Sequence, residues 1–584
     1  MKIIKRLLLY SKPYIGLLSF AFLLIILTTI AINFLPVIIQ KITDDCLINN
    51  DRNFDERFSL LTKLSFLYII IAASGHFIRY IQGLITAYIG QKIIFDLRLK
   101  VFKKVLNMHQ GFFDKTPVGT LMTRVTSDIE RLQNFVTDGA LGTIADLIML
   151  IGIMSYMIYI SPQLALTIFV SLPLLFLFMV FVNKRLLNAN RNIRDRQADL
   201  NAFLQENLTG MTTVQSFNKE IKTINNFDNK HKKLRSAYYD EVKWFSLYFP
   251  TVEAGQAIST ALTLLIGGIM LINGSNLVTL GTLVAFFAWI REFFRPLGSL
   301  SEKAGSFQVA IASIERVFML LDEDEAIKNI SSPKKPNKIQ GKIEFKNVWF
   351  AYNEENWVIK DLSFKVAPGE SLAIVGATGA GKSTIINLIG RFYDIQKGSI
   401  EIDGINIKDF EKTNLRSRLG YVFQDPFIFS DSIYNNIGIY NNKLTKNEIE
   451  DAAKTVNVDK FINQLDMKYK TILNERGEGL SLGQKQLISM ARTLAQKPEL
   501  LFVLDEATAS IDTATEQLIQ DALIKLMSNQ TSIVIAHRLS TIRNANKILV
   551  MRNGKLIDKG SHDELILNQG YYSQLCELME ISSN

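Results

Sequence analysis

The segment Gly376–Thr384 constrains the fold more than any other feature of the chain. It matches the pattern G-x-x-x-x-G-K-[ST] and directly follows the apolar run Leu372–Val375. The apolar run predicts a buried strand, and the glycine-rich turn after it predicts a helix that begins near Lys382. Backbone N–H groups in such a turn can surround a phosphate, and the positive end of the helix dipole adds to the attraction. The residues of this phosphate loop are Gly376, Ala377, Thr378, Gly379, Ala380, Gly381, Lys382, Ser383 and Thr384.

Three side chains of the loop have predicted roles toward a bound nucleoside triphosphate. Lys382 supplies a mobile positive charge for the β- and γ-phosphates, and Ser383 offers its hydroxyl to Mg²⁺. Thr384 donates to the α- or β-phosphate. For an isolated match, a glycine-rich turn without a ligand is the alternative, and a second motif argues against it.

That second motif is an apolar strand, Leu500–Leu504, which ends on Asp505 and Glu506. Two carboxylates in this position are expected at the carboxyl edge of an open α/β sheet, where ligands bind. Asp505 is predicted to hold the Mg²⁺ ion, partly through water. Glu506 is predicted to be the catalytic base that takes a proton from the attacking water.

Three further residues fit the same site. His537 follows the apolar strand 533–536 and is predicted to donate to the γ-phosphate and orient the water. Gln424 ends the short apolar run 421–423 and is predicted to reach the metal ion or the water. Tyr352 carries a ring that can stack on adenine. A core position remains the alternative for His537, and a core or surface position for Tyr352.

Together these residues resemble the nucleotide-binding domain of an ATP-binding cassette (ABC) transporter, and the resemblance covers essentially the whole chain. It implies ATP and Mg²⁺ as cofactors and ATP hydrolysis coupled to transport across a membrane. In this family the Leu-Ser-Gly-Gly-Gln signature of one subunit closes over the γ-phosphate held by the other. The positions that the resemblance assigns to this role in trans are Ser481, Leu482, Gly483, Gln484 and Asp512.

Leu482 departs from the family pattern, which has glycine there. A leucine adds bulk where backbone approaches phosphate, and it narrows the allowed φ/ψ space. An altered signature beside intact Glu506 and His537 resembles one subunit of the bacterial heterodimeric exporters, whose partner supplies the good signature. A homodimer with a tolerated substitution is the alternative.

The chain is too apolar for an ordinary soluble enzyme, and its apolar excess is concentrated before about residue 300. Hydrophobic residues make up 48% of the 584-residue chain, and its mean hydropathy is +0.15. Six apolar stretches approach the roughly 20 residues that a helix needs to cross a bilayer. The predicted spans are Ile15 to Leu35, Leu64 to Leu84, Leu141 to Ile160, Leu164 to Val182, Pro250 to Ile272 and Leu277 to Phe294.

The distribution of charge predicts the orientation. Basic residues precede the first span, whereas the connection after it is acidic, so both termini are expected in the cytoplasm, at a multi-pass position in the inner (cytoplasmic) membrane. The connections 91–138 and 184–243 are basic with apolar residues at helical spacing, which predicts helices that extend the spans into the cytoplasm. They explain the formal charge of +9. No basic pattern typical of nucleic-acid binding accompanies it, so no nucleic acid is expected as a partner.

The predicted fold class is an all-α six-helix transmembrane domain followed by an α/β P-loop ATPase domain of ABC type. The predicted boundaries are 1–320 for the membrane domain, 321–340 for a linker and 341–584 for the nucleotide-binding domain. Two breaks in the cytoplasmic connections, 111–119 and 206–211, resemble the coupling helices of type IV exporters, which dock on the ATPase domains. Local packing is the alternative role for Phe112 and Phe113.

The predicted function is ATP-driven export of lipids, drugs or other amphiphiles by alternating access of a dimer. A second half-transporter, membrane lipids and an amphiphilic substrate are the expected partners. The alternatives are a homodimeric lipid flippase and an ATP-gated channel or regulatory membrane ATPase. Glu253 at membrane depth can attract cationic amphiphiles or make a hydrogen bond within the bundle. Phe286, Phe287 and Trp289 can contact an apolar ligand or serve packing.

Overall fold

A computed structural model of the chain describes residues 6, 9–10, 12–48, 52–273, 278–323, 327–353, 356–423, 425–505, 513–527, 530–536 and 539–583. The chain divides into two compact units. The first consists of Met1–Leu106 and Val118–Glu323, and the second of Asn107–Pro117 and Asp324–Asn584.

All the secondary structure in the described residues of the first unit is helical. Five of its helical segments are long and apolar enough to cross a membrane. Its helices are α1 (Ile15–Lys41), α2 (Phe54–Leu106), α4 (Val118–Val125), α5 (Ser127–Asn134), α6 (Gly142–Ile160), α7 (Pro162–Thr209), α8 (Met211–Ser216), α9 (Glu220–Ile272) and α10 (Leu280–Asp322); α3 (Gln110–Lys115) belongs to the second unit.

Five of the six predicted spans lie in these five segments. The sixth begins at Leu277, which lies outside the described residues, and the rest of it forms the start of α10. There, Arg291, Glu292 and Arg295 follow the apolar residues closely, so the described part of this stretch is less apolar than the others. The sixth crossing therefore stays a prediction.

The three longest helices far exceed the length that a bilayer requires. Helices α2 and α9 have 53 residues each and α7 has 48. At 1.5 Å per residue each is roughly 70–80 Å long, against about 30 Å of hydrocarbon. The predicted helical extensions of the spans are thus confirmed.

Aromatic residues of α10 form part of the core of the first unit. Phe286 and Trp289 are fully buried, and the Trp289 indole donates to the carbonyl oxygen of Asn33 at 3.2 Å. A buried indole with its N–H satisfied in this way belongs to the packing of the bundle. This supports the packing interpretation for these two residues.

The second unit contains two sheets. One has four antiparallel strands in the order β2-β1-β4-β5, and the other has six in the order β10-β9-β3-β8-β7-β6. The strands are β1 (Ile343–Ala351), β2 (Trp357–Val366), β3 (Ser371–Gly376), β4 (Lys397–Ile402), β5 (Ile405–Asn406), β6 (Leu419–Val422), β7 (Leu500–Asp505), β8 (Thr531–Ala536), β9 (Lys547–Arg552) and β10 (Lys555–Gly560).

The second unit also contains ten α-helices in its described residues after residue 327. They are α11 (Lys382–Ile389), α12 (Lys412–Arg416), α13 (Ile433–Gly438), α14 (Lys446–Thr455), α15 (Asp459–Gln464), α16 (Leu482–Ala495), α17 (Thr513–Met527), α18 (Leu539–Arg543), α19 (His562–Leu567) and α20 (Tyr571–Ser583). In the larger sheet β3, β6, β7, β8 and β9 are parallel, and only the edge strand β10 is antiparallel. All residues of β3 and β8 are buried, as expected for central parallel strands covered on both faces.

Candidate functional site

The phosphate loop connects β3 to α11, which begins at Lys382 as its sequence predicted. Gly376, Gly379 and Gly381 have φ angles of +151°, +82° and +95°. A Cβ atom on Gly376 would lie 2.2 Å from the carbonyl oxygen of Met551, and one on Gly381 would lie 2.7 Å from Ile359. Only glycine can adopt these positive φ angles and also leave out the Cβ atom for which there is no room. The loop therefore keeps a backbone curvature that suits a phosphate.

Lys382 lies within this loop. Its side chain is 7% exposed, and its ammonium donates to the carbonyl oxygens of Gly376 at 2.7 Å and Ala377 at 3.2 Å. Ser383 is exposed and Thr384 is buried. The loop therefore brings together a cation, two hydroxyls and the N-terminus of a helix, which are the groups that bind polyphosphate.

The strands predicted to deliver the other site residues end at the same edge of the sheet. In the register of the parallel strands, Asp505 at the end of β7 is opposite Ala536 at the end of β8, and β8 in turn pairs with β3. β6 pairs with the other side of β7 and ends at Val422. Because parallel neighbours end on the same side, these strand ends lie alongside Gly376, at the start of the phosphate loop.

Several predicted residues lie outside the part of the chain that the structure describes. Glu506 and His537 directly follow the ends of β7 and β8, and Gln424 lies two residues beyond β6. Asp512 is also outside, and of Asp505 only the backbone is described. Their roles stay predictions.

Tyr352 lies beside the phosphate loop. Its ring is edge-on to Phe350 and Tyr393, with centroids 4.9 and 5.0 Å apart, and its hydroxyl is 3.1 Å from the Thr384 hydroxyl. The residue is 41% exposed. An aromatic ring that is held by neighbouring rings and partly exposed can stack on a base.

The signature segment forms the start of α16. Ser481 is the N-cap: its hydroxyl accepts from the backbone N–H of Gln484 at 3.2 Å, and the Gln484 side chain accepts from the N–H of Ser481 at 2.9 Å. Leu482 is the first residue of the helix and does not have a positive φ. Right-handed helical geometry suits any L-residue, so this backbone conformation does not itself require glycine. The bulk of its side chain remains as the difference from glycine.

The first predicted coupling segment belongs to the second unit. Within residues 107–117, α3 packs through Phe112, which is 8% exposed and edge-on to Phe113 at 5.7 Å. Asp114 accepts a hydrogen bond from the Tyr393 hydroxyl. The second predicted segment is a helix break, since α7 ends at Thr209 and α8 begins after Gly210.

The sequence reasoning missed Tyr393 and Arg492. The Arg492 guanidinium donates to the carbonyl oxygens of Phe427 at 3.0 Å and Asn436 at 2.8 Å, and so ties α16 to the loop that follows Gln424. Burial lowers the pKa of Arg492 to about 10, so it stays charged at neutral pH. No local motif marks either residue, because both act through partners that are distant in the sequence.

The first unit contains an apolar cavity of about 380 Å³ between α7, α9 and α10. Its lining includes Phe169, Leu172, Phe176, Phe293, Phe294 and Leu297. Glu253 is exposed, and Asp146 pairs with Lys303 at 2.5 Å.

Comparisons with known proteins agree with this geometry. Two family models match the sequence, the ABC transporter transmembrane region over residues 18–297 and the ABC transporter domain over residues 359–509. The "Uncharacterized ABC transporter ATP-binding protein YknV" of Bacillus subtilis (strain 168) is 36% identical over 98% of this chain and 93% of its own. The chain belongs to the ABC transporter family.

Other members of the ABC transporter family are similar over their full length. The "Putative multidrug export ATP-binding/permease protein YgaD" of Bacillus subtilis (strain 168) is 33% identical, with 100% of both chains covered. A protein of Staphylococcus aureus (strain NCTC 8325 / PS 47) with the same description is 34% identical over 99% of this chain and 100% of its own.

As an ABC half-transporter, the chain carries one membrane region and one ATPase domain. Half-transporters of this family act as dimers. The chain is thus a membrane protein that binds ATP and couples its hydrolysis to transport. Ser383 and Asp505 are hard oxygen donors of the kind that Mg²⁺ prefers.

Proposed function

We propose that the chain is one half of a dimeric exporter that moves lipids, drugs or other amphiphiles out across the cytoplasmic membrane by alternating access. The observation that carries the proposal is the phosphate loop beside the strand ends that precede Glu506 and His537, in a chain fused to a membrane region. Two relatives, YgaD and its Staphylococcus aureus counterpart, have names that refer to multidrug export. These names support outward transport.

In this proposal ATP is bound by the phosphate loop and Tyr352. Ser383, Asp505 and Gln424 hold Mg²⁺, partly through water, and the ion offsets the negative charge of the phosphates. Glu506 takes the proton of the attacking water, and His537 donates to the γ-phosphate. Ser481, Gly483, Gln484 and Asp512 act on the nucleotide of the partner.

ATP drives transport because it binds more tightly to the closed dimer than to the open one. Closure shifts the membrane region toward its outward-facing state, and hydrolysis removes that bias. The apolar cavity between α7, α9 and α10 supports an amphiphilic substrate, since its lining suits hydrocarbon. In this proposal both termini lie in the cytoplasm. The partner is a related chain with an intact signature rather than a second copy.

The test is Glu506→Gln in the complex reconstituted in sealed vesicles. We expect ATP hydrolysis to fall by about 10²- to 10⁴-fold while ATP binding is retained, because only the proton acceptor is lost. The matched control is Glu577→Gln, which removes an exposed carboxylate on α20. It should change neither ATP hydrolysis nor ATP binding. Full turnover by Glu506→Gln would refute the general-base role. ATP-dependent ion current without uphill movement of any amphiphile would refute export.

A further inference from the structure

The first unit has a second cavity, also of about 380 Å³, and its walls carry charged side chains. It lies between α1, α2, α6 and α10. Three basic and two acidic residues line it: Arg79, Asp146, Glu292, Arg295 and Lys303. With the predicted orientation of the spans, all five are near the cytoplasmic ends of the predicted spans, although α2 and α10 continue well beyond them.

The two carboxylates of this charged cavity each have a basic partner. Lys303 donates to Asp146 at 2.5 Å, with both side chains about one quarter exposed, and Arg295 lies 3.8 Å from Glu292 on the same helix. These pairs need no ligand to balance their charge.

Arg79 is different. It makes no hydrogen bond or ion pair with any described residue, although it is within electrostatic range of Arg295 and Glu292. Among the described side chains that line the charged cavity, three are basic and two are acidic, which leaves one positive charge in excess. A charge at this depth is costly unless it is paired or solvated, so the excess favours an anion over a cation.

A second observation indicates a ligand. The hydroxyl of Thr28 on the cavity wall is buried and has no hydrogen-bond partner in the described structure, and the residue is only 7% exposed. Buried hydroxyls are normally satisfied, and this one can donate to an anionic oxygen.

We propose that the charged cavity binds the anionic headgroup of an amphiphilic substrate, with Arg79 and Thr28 as contacting residues. The inference rests on the proposed function and names the substrate class. The apolar cavity described above is lined by Phe293, Phe294 and Leu297, which alternate along α10 with Glu292, Arg295 and Pro296 of the charged cavity. One stretch of α10 thus presents polar and apolar binding surfaces at the same depth. A cationic amphiphile drawn by Glu253 is disfavoured, because Glu253 does not line either cavity.

The test measures binding and transport with three fluorescent lipids that share acyl chains and label: phosphatidylglycerol, phosphatidylcholine and a cationic diacyl trimethylammonium-propane. Binding is measured at equilibrium on the purified complex without ATP. We expect phosphatidylglycerol to bind at least about tenfold more tightly than the cationic lipid, which corresponds to roughly 1.4 kcal/mol.

Substitutions in the cavity wall test which side chains cause the preference for phosphatidylglycerol. Arg79→Gln should remove it, and Arg79→Lys should restore most of it because the charge returns. The matched control is Arg291→Gln, which removes a charge from an exposed position of α10 that does not line the cavity. Thr28→Val keeps the shape of the side chain and should weaken phosphatidylglycerol binding by a smaller factor.

Equal binding of the three lipids, or equal effects of Arg79→Gln and Arg291→Gln, would overturn the anionic site. Displacement of labelled phosphatidylglycerol by glycerol phosphate at comparable concentration would show a site for soluble anions and overturn the assignment to an amphiphile. Because binding is measured without ATP, it tests the cavity separately from export. A failure of ATP to drive any of the three lipids across vesicles would contradict the proposed function alone.

Discussion

Tyr352 is the residue of the ATP site whose surroundings define a direct test. Its ring packs nearly perpendicular to those of Phe350 and Tyr393, and its hydroxyl contacts Thr384, so one substitution can remove the ring and another only the hydroxyl. Tyr352→Ala is expected to raise the KM for ATP by about tenfold, since stacking of a base on a ring contributes about 1–3 kcal/mol.

Tyr352→Phe is the control, because it keeps the ring and removes only the contact with Thr384. Its KM should stay close to that of the wild type. Steady-state ATP hydrolysis over a range of ATP concentrations measures both variants. A normal KM for Tyr352→Ala would exclude stacking on adenine.

Single residues also show how far sequence reasoning reaches. Lys382 lies at the start of a helix, as predicted, because the glycine pattern and the preceding strand determine the local geometry. The capping box between Ser481 and Gln484 places Leu482 in a helical turn, a backbone conformation that the comparison with the glycine of the family signature does not reveal. Arg79 was not identified at all, since an isolated basic residue in an apolar stretch gives no sign of which charges surround it.

The helix α3 and the residue Tyr393 carry a prediction about coupling. Burial and the hydrogen bond to Asp114 raise the pKa of Tyr393, so its hydroxyl stays protonated and donates at physiological pH. Tyr393→Phe is expected to keep ATP hydrolysis within about twofold of the wild-type rate and to reduce transport by about tenfold. This tenfold change corresponds to a loss of roughly 1.4 kcal/mol in the coupling between hydrolysis and transport.

A matched pair elsewhere in the second unit provides the control. Tyr440 donates to Asp431 at 2.5 Å and is exposed, so Tyr440→Phe removes the same kind of bond away from α3. Both activities should be normal in that variant. Equal transport rates for the two phenylalanine variants would show that the Asp114–Tyr393 bond does not couple the two activities.

Helices α5 and α10 are joined by an ion pair that the sequence did not reveal. Arg316 donates to both carboxylate oxygens of Asp128, at 3.0 and 2.6 Å, and Asp128 is 4% exposed. Asp128→Asn is expected to lower the melting temperature of the detergent-solubilised protein, because it leaves Arg316 without its bidentate partner.

A double-mutant cycle with Arg316→Gln should give a coupling energy of about 1–2 kcal/mol, reduced from that of a fully buried pair because Arg316 is partly exposed. The melting temperatures of the wild type, the two single variants and the double variant measure it. Additive effects would show that the pair does not stabilise the first unit.

At the level of elements, composition predicted the membrane helices well and their ends poorly. The first span was expected to end at Leu35, before Pro36, yet α1 continues through Pro36 to Lys41. Helices α7, α9 and α10 likewise contain Pro173, Pro250 and Pro296. Proline is tolerated inside membrane helices because neighbouring groups satisfy the freed carbonyls. The apolar span and the helix that contains it therefore do not end at the same residue.

For the whole molecule, parallel pairing was the step that made the site predictable. Strands β3, β6, β7 and β8 are separated by long stretches of sequence, but parallel neighbours bring their carboxyl ends to one edge. The motifs therefore located the ATP site without knowledge of the strand order. No such rule predicts the charged cavity, because Lys303 and Asp146 meet only through the packing of α6 and α10.

The asymmetric dimer is the remaining prediction about the whole molecule. If the bulk of Leu482 weakens the signature, a homodimer of this chain would close both of its ATP sites with a weak signature. In a complex with a partner, the ATP site that contains Glu506 would be closed by the intact signature of the partner. We expect the chain expressed alone to hydrolyse ATP at no more than about one tenth of the rate of the complex, a difference of roughly 1.4 kcal/mol in activation free energy.

Leu482→Gly tests the cause of that difference. In the chain expressed alone the substitution should raise turnover by about tenfold, because every site then has a glycine at this position of the signature. In the complex it should change turnover little, since Leu482 there faces the partner's weaker site. Lys485→Ala, one turn further along α16, is the control. Turnover of the wild-type chain alone that equals that of the complex would establish a homodimer in which Leu482 is tolerated.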